Sequence, residues 1–439
     1  MLNSSKWMPA VMVLLLSLLS GRLGIAETLK VCKTCPYTSV KQAVQQAKPH
    51  DVVLVDGGVY QEYGIEINKS LTLRGENNPV IDSNFKGQIL TITSDDVTIE
   101  GFTLKNIATS YIRDDAAIRA LAQRNLRILN NTMLKTYYGI YLQRMENVEI
   151  RGNVIKGENE GKTESSLGNA IHLYYTDDAT ISDNVVEGHR DGIYLEVVKN
   201  STVHRNTSAN NQRYGLHFMF SDGNTYTHNT FRHNGAGVAV MYTRNIRMEH
   251  NTFEDNWGAA AYGLLLKDIS NSTIHHNIFR RNTTGIHMES SSRLQVGNND
   301  FERNGWAIKV MTTCLEDTFR LNNFTGNSFD VSTNGNTQSN HFENNYWEKY
   351  NGYDLDKDKV GDVPYRPVSL YAMLVEQVPP AVMFMRSFIV DLLDSMERVL
   401  PSIIPDQLVD ERPLMKRVNH KVPAQALQAN TASAARGGS

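Results

Sequence analysis

Three groups of residues in this chain have side chains and spacing suited to holding a metal ion. His217 and Met219 stand two apart, Met241 follows Met219 by 22 residues, and His172 and His287 are more distant histidines of the same kind. Imidazole and thioether together suit Cu(I), transiently bound or passed on, better than Zn²⁺ or Ca²⁺. The same residues also read as an adaptable docking surface for a protein partner. A second group, Asp354, Asp356, Asp358 and Asp362, alternates carboxylates as hard-cation loops do, which suits a structural Ca²⁺ with Val360 adding a backbone oxygen. Lys359 occupies the usual turn glycine and no glutamate closes the loop at its twelfth position, so a solvated acidic turn is the other reading. The third group is Cys32 and Cys35, a CxxC pair that forms a local disulfide in an oxidising compartment or, reduced, binds a soft metal. No residue is assigned to catalysis.

The elements that position these groups follow from a repeat. Recurrent turn asparagines occur at Asn131, Asn153, Asn184, Asn206, Asn229, Asn251, Asn277, Asn299, Asn323 and Asn345, with spacings of 22, 31, 22, 23, 22, 26, 22, 24 and 22. Gly139, Gly192, Gly215, Gly237, Gly263 and Gly285 mark another corner at 53, 23, 22, 26 and 22, and 22 + 31 = 53, so both series find the same insertions. A period near 22 with three short β-like runs fits one rung of a right-handed parallel β-helix, an all-β fold. Asparagine tolerates a left-handed corner and its amide can bond the asparagines above and below, which makes these residues structural. The insertions fall at 156–168, polar and Gly-rich, and at 256–260, more apolar. Repeat insertions map to loops, often on a binding face.

Strand alternation then orders the outward side chains. One column reads Tyr141, His172, Tyr194, His217, Ala239, Leu265, His287, Lys309; the next reads Gln143, Tyr174, Glu196, Met219, Met241, Lys267, Glu289, Met311. Met219 and Met241 are rung neighbours, and His217 faces outward about 7 Å along the strand from Met219.

The ends differ from the body. Residues 1–26 read as a secretory signal, with Lys6, an apolar run from Met8 to Leu19 and small residues before a cut at Glu27, so the mature chain is expected in the periplasm. Residues 27–50 form an N-terminal segment whose Ser39–Lys48 is expected to be a cap helix, with Ser39 and Gln42 as a capping box. The β-helix is expected over 51–350, with strands from Val52, then an acidic cation-loop-like segment at 351–370. Residues 371–418 form a helical docking segment, within which Pro380–Leu400 is an amphipathic helix with more apolar residues than one face buries. That excess suggests a membrane-proximal partner, although packing back on the β-helix is the alternative. Residues 419–439 read as disordered. A formal charge of −3 gives no basic field of the kind that attracts nucleic acid.

Several segments resemble a known family. Arg190–Glu196, Arg213–Asp222, Gly237–Tyr242, Tyr262–Ser270, Asn304–Val310, Gly352–Leu370 and Leu408–Met415 look like those of NosD, periplasmic maturation proteins of nitrous oxide reductase, over about Asp51 to Met415. The resemblance implies an accessory protein, not an enzyme, that works with an ABC-type ATPase and permease and a copper chaperone to assemble the copper sites of nitrous oxide reductase. The CxxC is not part of that pattern. Two other functions compete: an exported polysaccharide lyase or hydrolase, which the fold alone would favour, and a structural docking platform. In the outward columns Glu196 and Glu289 are separated by several rungs, which gives little support to glycosidic cleavage by paired acids.

Overall fold

The computed structural model describes residues 26–109, 113–335, 339–385, 387, 388, 390, 392, 393, 396 and 408–419. The expected leader and tail lie outside the described residues, except for Ala26 and Asn419. Alternation builds the body. Ile140, Ile171, Ile193, Leu216, Val238, Leu264, Ile286 and Ile308 pair rung to rung in parallel strands and are fully buried. Among the described residues the strands form three parallel sheets: a first of 14 strands from Thr28–Val31 to His341–Glu343, a second of 13 and a third of 12. The fold is a right-handed parallel β-helix.

Like side chains stack along its axis. Phe231, Phe253, Phe279, Phe301, Phe324 and Trp347 place ring centroids 5.5, 4.6, 4.9, 4.9 and 4.0 Å apart. Each such pair contributes about 0.5–1.5 kcal/mol beyond the area it buries. At the corner between the first and second sheets, the amide oxygen of each ladder asparagine accepts both N–H groups of the asparagine one rung before, as Asn153 does from Asn131 at 3.0 and 3.2 Å. The ladder runs through Asn322, not Asn323: Asn299 donates to Asn322, and Asn322 to Asn345. Asn323 begins the following strand and bonds Asp300. A second asparagine ladder, Asn211, Asn234, Asn256, Asn282, Asn304 and Asn327, holds another corner, so Asn256 belongs to the frame and the insertion starts after it.

Both ends are closed. The coil begins earlier than the hydrophobic pattern indicates: Thr28–Val31 pairs with Val52–Val55, and the cap helix, Val40–Gln46, lies between them. Ser39 accepts from the Gln42 N–H at 3.2 Å, but Glu62, not the Gln42 side chain, completes the cap by accepting from Val40 and Lys41. At the far end Asp410 takes the place of the next ladder asparagine, its Oδ2 accepting from Asn345 N, Asn345 Nδ2 and Trp347 Nε1 at 3.0, 3.0 and 2.9 Å. A closing helix, Leu370–Gln377, starts at Ser369 and packs Tyr371, Ala372 and Val375 with Phe329 of the last rung. The expected helix over Pro380–Leu400 is interrupted: Pro379–Phe384 is a 3₁₀ turn ending at Met385, and helix resumes at Phe388.

Candidate metal-handling face

The outward columns fall in the register that alternation dictates. On the third sheet Tyr141, His172, Tyr194, His217, Ala239, Leu265, His287 and Lys309 pair in succession, as do Gln143, Tyr174, Glu196, Met219, Met241, Lys267 and Glu289. Exposure departs from the expectation. His172 and His217 are buried, 8% and 4% exposed, although they lie outside the coil. Their cover is a row of rings: Tyr194 lies 4.7 Å from His172 and 4.8 Å from His217, and Tyr214 lies 4.9 Å from His217. The polar insertion reaches Gln212 and Arg213 beside this row, through the Glu164–Arg213 ion pair at 3.6 Å and the Gln212 amide bonded to the Lys162 carbonyl.

The five histidines and methionines do not converge on one point. His172 and His217 are two rungs apart with the Tyr194 ring between them, and His287 is three rungs beyond His217. Met219 and Met241 are direct rung neighbours, both half-buried, with His217 two residues along the strand from Met219. The Tyr194 hydroxyl donates to Glu196 at 2.9 Å and lies 3.7 Å from the Met219 sulfur. Beside the methionines, at the left-handed corner that ends each strand, Phe220 and Tyr242 stack at 5.1 Å and remain 47% and 42% exposed. Methionine next to exposed aromatics is a surface that adapts to a partner.

Behind His217 lies a polar nest that spacing alone did not reveal. Asp191 Oδ2 is 3.8 Å from both His217 Nδ1 and Arg190 Nε, too far for a hydrogen bond to either. Both His217 nitrogens, Asp191 Oδ2, Arg190 Nε and Asn169 Oδ1 are buried without a hydrogen-bond partner. Unpaired buried polar groups are costly, and a ligand reaching His217 would relieve that cost. Burial, aided by the positive charge of Arg190, pushes His172 down to about 3, and burial also lowers His287. Both are therefore neutral imidazoles at physiological pH, the ligating form. The signal for the nest is in the sequence, as Arg190-Asp191 and Arg213-Tyr214 one rung apart, but only packing shows that Asp191 Oδ1 accepts the Tyr214 N–H while Oδ2 is left without a hydrogen bond.

The other two groups stand at the ends. Asp354, Asp356 and Asp358 bring carboxylate oxygens within 4.8 Å of one another, and Asp354 Oδ1 is a buried atom without a partner. Asp362 is not in that cluster; its Oδ2 accepts the Leu355 N–H at 2.6 Å. Lys359 adopts φ 74°, the conformation for which such loops use glycine. The loop is latched to the chain end by Gly361 N–H to the Pro413 carbonyl and Met415 N–H to the Lys359 carbonyl. Cys32 and Cys35 are joined as a disulfide with Cα atoms 5.0 Å apart.

A family described as "Periplasmic copper-binding protein (NosD)" matches residues 158–352. The chain is 30% identical over 372 residues to the "Probable ABC transporter binding protein NosD" of Stutzerimonas stutzeri, covering 81% of this chain and 85% of that one. It belongs to the NosD family. The protein of the same name from Pseudomonas aeruginosa is 29% identical over 414 residues, with 80% and 85% covered. Among solved structures the family 28 exopolygalacturonase of Yersinia enterocolitica superposes with a TM-score of 0.50 at 9% identity, covering 72% of this chain and 77% of that chain, a likeness of fold alone. The NosD match spans the polar insertion, the nest and the Met219–Met241 pair, and NosD membership gives the chain an accessory role. No described helix is long and apolar enough to cross a membrane.

Proposed function

We propose that this NosD-family protein is a periplasmic accessory factor that takes Cu(I) from a copper chaperone and, together with an ABC-type ATPase and permease, assembles the copper sites of nitrous oxide reductase. The observation that carries this reading is the Met219–Met241 pair on adjacent rungs with the His217 imidazole beside it. Two thioethers on strands about 4.8 Å apart and one imidazole form an incomplete soft-ligand set. A partner's ligand completes it, and exchange of that ligand moves the copper on. The stacked Phe220 and Tyr242 give the partner an apolar rim to dock on. His172 and His287, neutral but distant, serve as flanking positions.

The far end of the coil suits the membrane partner. Met385, Val390 and Leu393 pack against the cluster around Phe329 and Tyr371, which uses one face of the segment. Met383, Phe384, Phe388, Leu392 and Met396 stay exposed at 83, 55, 79, 48 and 43%. An apolar strip of this size, left over after internal packing, fits a permease surface. The aspartate loop suits a structural Ca²⁺ that fixes the exit from the last rung.

Titration of the full chain with Cu(I) against a chromogenic chelator tests the copper reading. The wild type should bind one Cu(I) per chain, and Met219→Ser/Met241→Ser should lose it while keeping the circular dichroism of the wild type. Equal affinity in both would overturn ligation at this corner. The polysaccharide reading has less support: Glu196 and Glu289 stand four rungs apart by register, roughly 19 Å, whereas paired glycosidic acids sit about 5–9.5 Å apart.

A further inference from the structure

The corner between the first and second sheets, away from the methionines, carries a stack of imidazoles. His228, His250 and His276 occupy the left-handed corner position of three consecutive rungs, with φ 57°, 56° and 56°, each just before a ladder asparagine. Their shared backbone conformation sends the three side chains the same way. Ring centroids are 4.9 and 5.0 Å apart and the planes are 20° and 8° from parallel. His275, on the strand beside them, meets His276 edge-on at 6.4 Å, and its ring lies over Gly297, which has no side chain to cover it. His204 lies three rungs earlier in the strand column of His275, near enough to His228 for their charges to interact.

This stack differs from the other ladders of the coil. The asparagine amides consume their hydrogen bonds on each other and the phenylalanine rings are fully buried. The imidazoles face solvent: His228 and His276 are exposed, and His250 and His275 are half-buried. Among the described residues no side-chain hydrogen bond occupies the nitrogens of His228 or His250. The nearby cations are neutralised locally, Arg205 by Asp183 at 2.7 and 2.9 Å and Arg247 by Glu249 at 2.9 Å. Arg205 still acts on His228 despite its pairing, whereas Glu249 attracts a cation, acting on His228, His250 and His275 together.

We propose that this corner is a second metal site, distinct from the methionine corner, which binds a divalent ion of borderline softness through His250 and His276 on neighbouring rungs, with His228 and His275 as further donors. Neutral imidazole is the preferred ligand of Cu²⁺ and Zn²⁺, in contrast to the thioethers on the other face. Two nitrogens bound to one ion at about 2.0–2.1 Å are at most about 4 Å apart. The lone pairs lie in the ring planes, so the stacked rings must rotate until one nitrogen edge of each turns toward a common point, a rotamer change open to side chains at the surface. Three successive rings offer two such pairs.

The test uses the full chain made without a polyhistidine tag, and Cu²⁺ as the probe. Electron paramagnetic resonance of the wild type should show hyperfine coupling to two or more imidazole nitrogens. His250→Asn/His276→Asn should weaken Cu²⁺ binding by a hundredfold or more, since even outer-shell changes cost about 10–100-fold. Met219→Ser/Met241→Ser should leave the Cu²⁺ affinity and spectrum unchanged, which separates this site from the copper corner proposed above. If the double histidine variant does not fold, the exposed His276→Gln is read instead, with at least a tenfold loss expected. A spectrum without nitrogen coupling, wild-type affinity in the histidine variants, or loss of Cu²⁺ in the methionine variant would overturn the proposal.

Discussion

Replacing Asp317 by asparagine should stabilise this protein, and by an amount that depends on pH. Asp317 is fully buried at a corner where the rung before has Leu294, the rung after has Asn340, and earlier rungs include Asn224 and Ser272. Its Oδ1 accepts the Leu294 N–H at 2.8 Å, but Oδ2 is buried without a partner. Burial pushes its carboxyl up to about 7, against the pull of the Leu294 N–H and of Arg293. An aspartate in an unfolded chain titrates near 3.9. The folded state therefore holds its proton more tightly, and the contribution of Asp317 to stability falls as pH rises from about 4 to about 7 and is flat above that. A difference of about 3 pKa units corresponds to about 4 kcal/mol. Asparagine does not titrate. Its amide nitrogen would also find an acceptor by the pattern of Asn224 and Asn340, which donate to carbonyls 26 residues earlier. Melting temperatures of wild type and Asp317→Asn should be close at pH 4 and diverge by several degrees in favour of the variant at pH 8. An equal offset at both pH values, or a less stable variant at pH 8, would refute the reasoning.

Asp410→Ala should cost about 3–6 kcal/mol, because three buried donors on Asn345 and Trp347 lose their acceptor. Hydrogen exchange should localise the loss to the last rungs. Chelation should lower the melting temperature of the wild type, and Asp356→Asn should abolish that effect; equal stability with and without chelator would leave only an acidic turn. Phe388→Glu with Leu392→Lys should release the protein from its membrane partner in a pull-down while the circular dichroism stays that of a β-helix, since both side chains are exposed. Unfolding of the whole domain would show instead that this segment is core.

The coil was legible because its signals are repetitive. The asparagine and glycine spacings locate the rungs, and alternation within Gly139–Leu142 orders both outward columns correctly down to Lys309. What repetition does not carry was read less well. Asn323 stands next to the ladder residue, and only the hydrogen bonds give the place to Asn322. Outward position also proved different from exposure. Tyr194 and Tyr214 cover His172 and His217, and a cover made by neighbouring rungs has no signature in any one strand. The strand at Thr28–Val31 was missed because it precedes the cap helix and is too short to alternate visibly. Asp410 could not be placed from sequence, since a ladder closed by a residue 65 positions away obeys no period.

The most direct test of the account is the copper content of nitrous oxide reductase matured in cells that carry this protein as wild type or as Met219→Ser/Met241→Ser, with both made in equal amounts and folded. The account predicts a copper-depleted reductase in the variant cells although the chaperone still binds the variant. A fully loaded reductase there would contradict the claim that copper passes by this corner.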